Sequence, residues 1–141
     1  VLGQLAKQIA ADGEGATKLV ECNVTGAATS ADGQKVAKAI VGSNLVKAAI
    51  FGEDPNWGRI ISTIGATDAV IDVNAVDIMM NGIQLVKASL AVPFDLNQVQ
   101  ATLQSNQVII DVDLNHGPAS GQAWGCDLTY NYVKINASYH T

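Results

Sequence analysis

The sequence predicts an α/β (α+β) domain in which helices layer against mixed, largely antiparallel strands. Three observations carry that expectation. Helical and two-residue hydrophobic periods intersperse along the chain without a repeating βαβ unit. Asn81-Gly82 stands between Val76-Asp77-Ile78-Met79-Met80 and Ile83-Gln84-Leu85-Val86, the pair that a two-residue type I′ hairpin demands. Hydrophobic residues make up 48% of the 141 and charged residues only 15%, enough apolar material for one ordinary domain with a real core. Aromatics reach only 5%, so that core must be built from Val, Ile, Leu and Ala.

Taken in order, Leu2, Leu5, Ala6, Ile9 and Ala10 keep helical spacing from the first residues, with no cap before them. A domain rarely begins so abruptly, and Val1 is not methionine, so the chain reads as a piece of a longer one. Gly13 and Gly15 mark a loop. Residues 17–25 then alternate, with Val20, Cys22 and Val24 on one face of a half-buried strand. Residues 26–33 read as a small-residue turn region. Lys35 to Ile50 reads as helix, with a candidate break at Gly42-Ser43 and Ser43 as N-cap of the second piece. Asp54-Pro55 reads as an N-cap followed by proline at the first helical position, where a missing N–H costs nothing; that helix runs to Gly65. Asp95 with Gln98 makes a capping-box-like start for a helix through Leu103. Residues 108–114 alternate again, and Trp124 to Ile135 reads as a long strand bulged at Tyr132-Val133. A lobe boundary near residues 50–65 is the one internal division the pattern suggests.

Charge and cysteine usage remove several function classes. A formal charge of −5 and a pI near 4.7 argue against nucleic acid, which needs a basic footprint. No apolar run approaches the length of a membrane span, and the opening stretch, interrupted by Lys7 and Asp12, does not read as a signal peptide. Cys22 and Cys126 lack paired spacing and read as small buried hydrophobes in a reducing compartment. His116 and His140 have no second ligand at useful spacing, so no metal site and no cofactor is expected. His116-Gly117-Pro118 reads as a turn.

Three blocks carry chemistry or family signal. Gly52-Glu53-Asp54-Pro55-Asn56-Trp57-Gly58-Arg59 holds two glycines, a proline, a tryptophan and three charges at the mouth of an apolar stretch. Here Trp57 reads as a packing anchor, and Arg59 as a donor to carbonyls or to Glu53 or Asp54. Asp12-Gly13-Glu14-Gly15-Ala16-Thr17-Lys18 follows a helix and precedes a strand, the wrong order for a dinucleotide fingerprint, and its lysine is misplaced for a P-loop. By itself this block reads as a helix-ending loop with solvated charges. Ala123-Trp124-Gly125-Cys126-Asp127-Leu128-Thr129-Tyr130 reads as a buried strand and fingerprint. Together, in this order, the blocks resemble the ornithine acetyltransferase (glutamate N-acetyltransferase) family of arginine biosynthesis, over nearly the whole chain from about Gly3 to Thr141.

The resemblance implies a segment of a larger DmpA/ornithine-acetyltransferase-like fold, and an enzyme that moves an acetyl group from N-acetylornithine to glutamate through an acetyl-threonine intermediate. In that family the glutamate of the first block binds the amino-acid substrate, and Glu14 is the matching position. The family's tail motif places an asparagine and, five residues on, a threonine or serine at the substrate; Asn136 and Thr141 match that spacing. A carboxylate suits the ammonium of an amino acid, and an amide and a hydroxyl suit its other polar end. The nucleophile is the threonine freed when the precursor cuts itself, with the new amine able to act as its base. No Ala-Thr junction of the family's kind occurs upstream of Glu14 here, and Thr25-Gly26 only superficially resembles the family's oxyanion-hole pair, which belongs to the other chain.

The chain thus reads, over residues 1–141, as the C-terminal part of the β chain of an autoprocessed acetyltransferase, without catalytic residues of its own and inactive alone. Its partners are then the α chain and the nucleophile-bearing segment of the same precursor, in the cytoplasm or, in a eukaryote, the mitochondrial matrix. Two other classes stay open: a non-catalytic ligand-binding or assembly domain of the same fold, and an aminopeptidase-like hydrolase with an N-terminal nucleophile. No motif separates family members that also use acetyl-CoA from those that do not.

Overall fold

The structure, a computed structural model, describes residues 18–127. Six strands form one mixed sheet: β1 (Leu19–Ala27), β2 (Asp77–Met80), β3 (Ile83–Lys87), β4 (Leu90–Ala91), β5 (Gln107–Asp113) and β6 (Ala119–Cys126), in the order β4-β3-β2-β5-β1-β6. Four helices accompany them: α1 (Ser30–Gly42), α2 (Asn44–Phe51), α3 (Trp57–Ala66) and α4 (Leu96–Thr102). β1 and β5 run parallel, Cys22 opposite Ile110, and every other pairing is antiparallel.

Alternation decides which face of each strand is buried. Val20, Cys22 and Val24 of β1, with Val108, Ile110 and Val112 of β5, are at most 1% exposed and turn toward the helices. Ile78 and Met80 of β2 extend that surface, and Val36, Ile40, Ile50, Ile60, Ile64, Val99 and Leu103 close over it. Aliphatic side chains, with Cys22 and Met80, supply the described interior; Trp57 and Phe94 pack against its margin. Each fully buried Ile or Leu contributes about 1.5–3 kcal/mol relative to an exposed one.

Local chemistry sets the element ends. Ser43 separates α1 from α2 and accepts the Val46 N–H; Asp95 caps α4 by accepting the Gln98 N–H. Asn81 and Gly82 both have positive φ, 49° and 82°, the geometry of the expected I′ hairpin between β2 and β3. His116 and Gly117 both donate to the Gly26 carbonyl, in the expected turn.

Four expectations are corrected. Residues 30–33 are not turn but the first turn of α1, because Thr29 caps it by accepting the Asp32 N–H. The helix expected from Asp54-Pro55 starts at Trp57: Asn56 takes the cap by accepting the Arg59 N–H, while the Asp54 carboxylate accepts from the Asn56 amide. The first strand ends at Ala27 rather than residue 25. β6 begins at Ala119, five residues before Trp124, where serine and glycine had disguised a strand. The expected helix over residues 1–10 and the strand beyond Asp127, with its bulge at Tyr132-Val133, lie outside the described residues. Among the described residues no helix is long and apolar enough to cross a membrane.

The α1 contact with β6 explains that glycine-rich strand. Gly121, Ala123 and Gly125 alternate on the face that meets α1. A Cβ at Gly121 would run into the Gly33 and Gln34 backbone, and one at Gly125 would lie 3.0 Å from the Val41 carbonyl. The helix rests directly on the strand backbone, which no larger side chain allows. Gly121→Ala should therefore destabilise the chain by about 1–3 kcal/mol, whereas Gly42→Ala, with nothing within 4 Å of the new methyl, should be neutral or slightly stabilising. Urea unfolding of both variants checks this; equal stabilities would remove the close-packing account.

Candidate functional site

Three elements meet at Lys18. Its backbone N–H donates to the Asp127 carboxylate at 2.9 Å, and its carbonyl accepts the Asp127 N–H at 3.2 Å, one step beyond the Leu19–Cys126 pair that ends β1 against β6. Its ammonium donates at 3.1 Å to the carbonyl of Ile50, in the last turn of α2. Helix C-termini carry unsatisfied carbonyls and partial negative charge, so a lysine is favourable there. None of the residues in that turn is basic; Lys18 supplies the cation from another element. The adjoining Leu19 N–H donates to Asn106 just before β5, which ties the same end of the sheet to a third strand.

This corner collects the three sequence blocks. Lys18 closes the first, Asp127 belongs to the third, and the second, which begins two residues after Ile50, shares the Ile50 carbonyl with Lys18 through the Glu53 N–H. The second block is a rigid corner in its own right. Glu53 sits at φ 56°, with its N–H on the Ile50 carbonyl, and the Asp54 N–H bonds Ala49. The Arg59 guanidinium donates to the Leu45 carbonyl at 2.9 Å, and Trp57 packs on the core margin, so both serve structure as their chemistry suggested.

The sheet face away from the helices is polar. Asn23 donates through one amide nitrogen to Glu21 at 3.1 Å and to Asp111 at 3.0 Å, and the Trp124 indole N–H donates to Glu21 at 3.0 Å. A depression of about 320 Å³ lies over this face, lined by Asn23, Thr25, Asp77, Gln84, Asp111 and Asp113 among others. Its carboxylates are engaged within the fold: Asp113 accepts the Asn115 N–H, and Asp77 accepts from the Ala88 N–H and the Asn115 amide. Among the described residues no group of three or more His, Cys, Asp or Glu is placed to hold a metal ion. Cys22, fully buried, has its thiol pushed far up by burial and then by the charges of Asp111 and Glu21, so it is no nucleophile at neutral pH. Cys126 is only half-buried.

Glu14, Asn136 and Thr141, the three expected substrate contacts, all lie outside the described residues. What the structure does describe is the pair of residues, Lys18 and Asp127, to which their segments join in sequence. Glu14 precedes Lys18 by four residues and Asn136 follows Asp127 by nine, and Lys18 and Asp127 pair at one end of the sheet. The pairing itself escaped the sequence reading: the two residues are 109 positions apart, and only their membership in two of the blocks hinted at a link.

The ArgJ family model matches residues 1–141, the whole chain. The chain belongs to the ArgJ family. Its relatives include the arginine biosynthesis bifunctional protein ArgJ of Lactiplantibacillus plantarum, 83% identical over 141 residues, and that of Bacillus cereus strain ATCC 10987, 55% identical over the same span. Each match takes in 100% of this chain and 35% of the relative, so the chain spans about a third of those proteins' length. The crystal structure of the arginine biosynthesis bifunctional protein argJ of Bacillus halodurans is 51% identical, with a TM-score of 0.93 over 96% of this chain and 64% of that one. The family and the mixed α/β class expected from the blocks are thereby borne out. The expected C-terminal placement within the precursor rests on the tail resemblance alone.

Asp77 provides a pH-dependent handle on the polar face. Burial pushes its carboxyl up, but the Ala88 N–H, the Asn115 amide and the Lys87 charge outweigh it and hold the group below the usual 3.8. A carboxyl lowered on folding contributes stability that is fully present above about pH 4 and is lost as pH falls through the folded value. Asp77→Asn should thus unfold at lower urea than the parent at pH 7, and the gap should close progressively below pH 4. A gap that stays constant from pH 7 to pH 2.5 would contradict this assignment.

Proposed function

We propose that this segment supplies substrate contacts for transfer of an acetyl group from N-acetylornithine to glutamate, within a longer ArgJ-family protein whose nucleophilic threonine lies on another segment. The observation that carries the reading is the pairing of Lys18 with Asp127, which joins the first and third family blocks, with the second linked to them through the Ile50 carbonyl that Lys18 and Glu53 share. Family membership supports it, as do the relatives' names as bifunctional proteins of arginine biosynthesis.

The chemistry asks little of this segment beyond binding. The threonine hydroxyl attacks the acetyl carbonyl, its proton passes to a base, and the C–N bond breaks so that ornithine leaves as the amine. The glutamate amine then attacks the acetyl ester and restores the hydroxyl. Donor and acceptor share an α-carboxylate beside the reacting nitrogen, which is an amide in N-acetylornithine and an amine in glutamate, so one set of polar contacts can hold each in turn. Glu14 would grip the cationic group, while Asn136 and Thr141 would bond the remaining polar atoms. The other segments of the precursor complete the site, and the biosynthetic naming of the bacterial relatives favours a cytoplasmic setting.

In the full-length protein, Glu14→Gln should raise KM for N-acetylornithine by about tenfold to a hundredfold, the cost of one charge-assisted bond of about 1.5–3 kcal/mol. The melting temperature should move little. Asn136→Ala should weaken substrate use more than Asn131→Ala, an asparagine outside the tail motif. Steady-state kinetics with the 141-residue chain alone should show no turnover. Wild-type kinetics in Glu14→Gln and Asn136→Ala would return both residues to a solvated surface and leave an assembly role for the segment.

A further inference from the structure

We propose that Asn81-Gly82 is a deamidation site that the fold holds shut, so that its modification records opening of the β2–β3 hairpin. The pair occurs once in the 141 residues. Asparagine followed by glycine is open to attack by its own backbone, because a glycine nitrogen has no neighbouring Cβ to hinder its approach to the side-chain amide. Gly82 is exposed, and apart from its chain neighbours nothing lies within 4 Å of where its Cβ would stand, so no wall surrounds that nitrogen. In the reaction the Gly82 nitrogen gives its proton to hydroxide and bonds to the Asn81 Cγ. The Cγ–Nδ2 bond breaks and ammonia leaves. Water then opens the cyclic imide at either carbonyl, which yields aspartate or isoaspartate.

The folded chain opposes this through its hold on the amide. Asn81 Oδ1 accepts the Ile109 N–H at 2.7 Å, and Nδ2 donates to the Thr102 carbonyl at 3.2 Å. The Asn81 backbone N–H donates to the Ile109 carbonyl at 2.8 Å. One residue thus clasps the hairpin to β5 and to the last residue of α4. Ring closure requires Cγ to turn onto the Gly82 nitrogen, which gives up both side-chain bonds and leaves the Ile109 N–H and a terminal helix carbonyl without their partners. The same clasp makes the product unfavourable. An ionised aspartate still accepts from Ile109, but it has no proton for Thr102 and sets negative charge at a helix C-terminus. Isoaspartate adds a backbone methylene to a turn that tolerates only two residues.

The test compares the full-length protein in buffer with the same protein in urea, both at mildly alkaline pH, by digestion and mass analysis of the peptide that spans residues 81–82. Deamidation should be about tenfold slower or more in buffer, since it proceeds only through the open fraction. In urea, Gly82→Ala should slow it by about tenfold, because the methyl hinders the attacking nitrogen. Asn81→Asp should unfold at lower urea than the parent at neutral pH. Should that variant fail to fold, the two rates in the unaltered protein carry the test. Equal rates in buffer and urea, an unchanged rate in Gly82→Ala, or an Asn81→Asp midpoint at or above the parent's would each overturn the proposal.

Discussion

The backbone pairing of Lys18 with Asp127 is the constraint on which the functional architecture depends. β1 occupies an interior position of the sheet, parallel to β5 on one side and antiparallel to β6 on the other. The place where β1 begins is therefore also where β6 ends. Any loop entering β1 and any segment leaving β6 start as neighbours, whatever their own sequences. Lys18 adds the end of α2 to that meeting through the Ile50 carbonyl.

The remainder of the packing holds this joint in place. Among the described residues β6 ends the sheet, and the face it turns to α1 is made of glycine and alanine, so the helix sits against backbone rather than side chains. Such a contact is intolerant of register change, because a slip by one residue would bring Gln122 or Trp124 under the helix. Trp124 instead lies on the opposite face with its indole N–H on Glu21. Helix seat and indole bond thus fix the same register from two sides, and with it the position of Asp127 beside Lys18. The polar face stabilises by mutual satisfaction: the Asn23 amide bridges Glu21 and Asp111, and the Asn115 amide bonds Asp77.

Sequence alone disclosed what short-range chemistry decides. Asn81-Gly82, the Ser43 break and the Asp95 cap were legible because turn and cap geometry depend on a few adjacent residues. The start of α3 was misplaced by two residues because Asp54 and Asn56 are both good caps, and only the folded corner lets Asn56 prevail. β6 was half hidden, since glycines chosen for contact with α1 look like loop residues when that helix is out of sight. The parallel pairing of β1 with β5, and the Lys18–Asp127 ring, join positions too far apart for any local pattern to reveal. The family blocks did carry that long-range information, without its geometry. The expected site residues themselves, Glu14, Asn136 and Thr141, rest on the family resemblance and lie outside the described residues; a glutamate between glycines and a polar tail have no periodic signature.

The central claim is that the Glu14 loop and the tail answer to one ligand at the Lys18 corner. Hydrogen exchange on the full-length protein, with and without saturating N-acetylornithine, measures this most directly. The account predicts concerted protection in peptides covering residues 12–18 and 128–141, with none in the β2–β3 hairpin at residues 77–87. Protection confined to one of the two segments, or appearing in the hairpin instead, would contradict it.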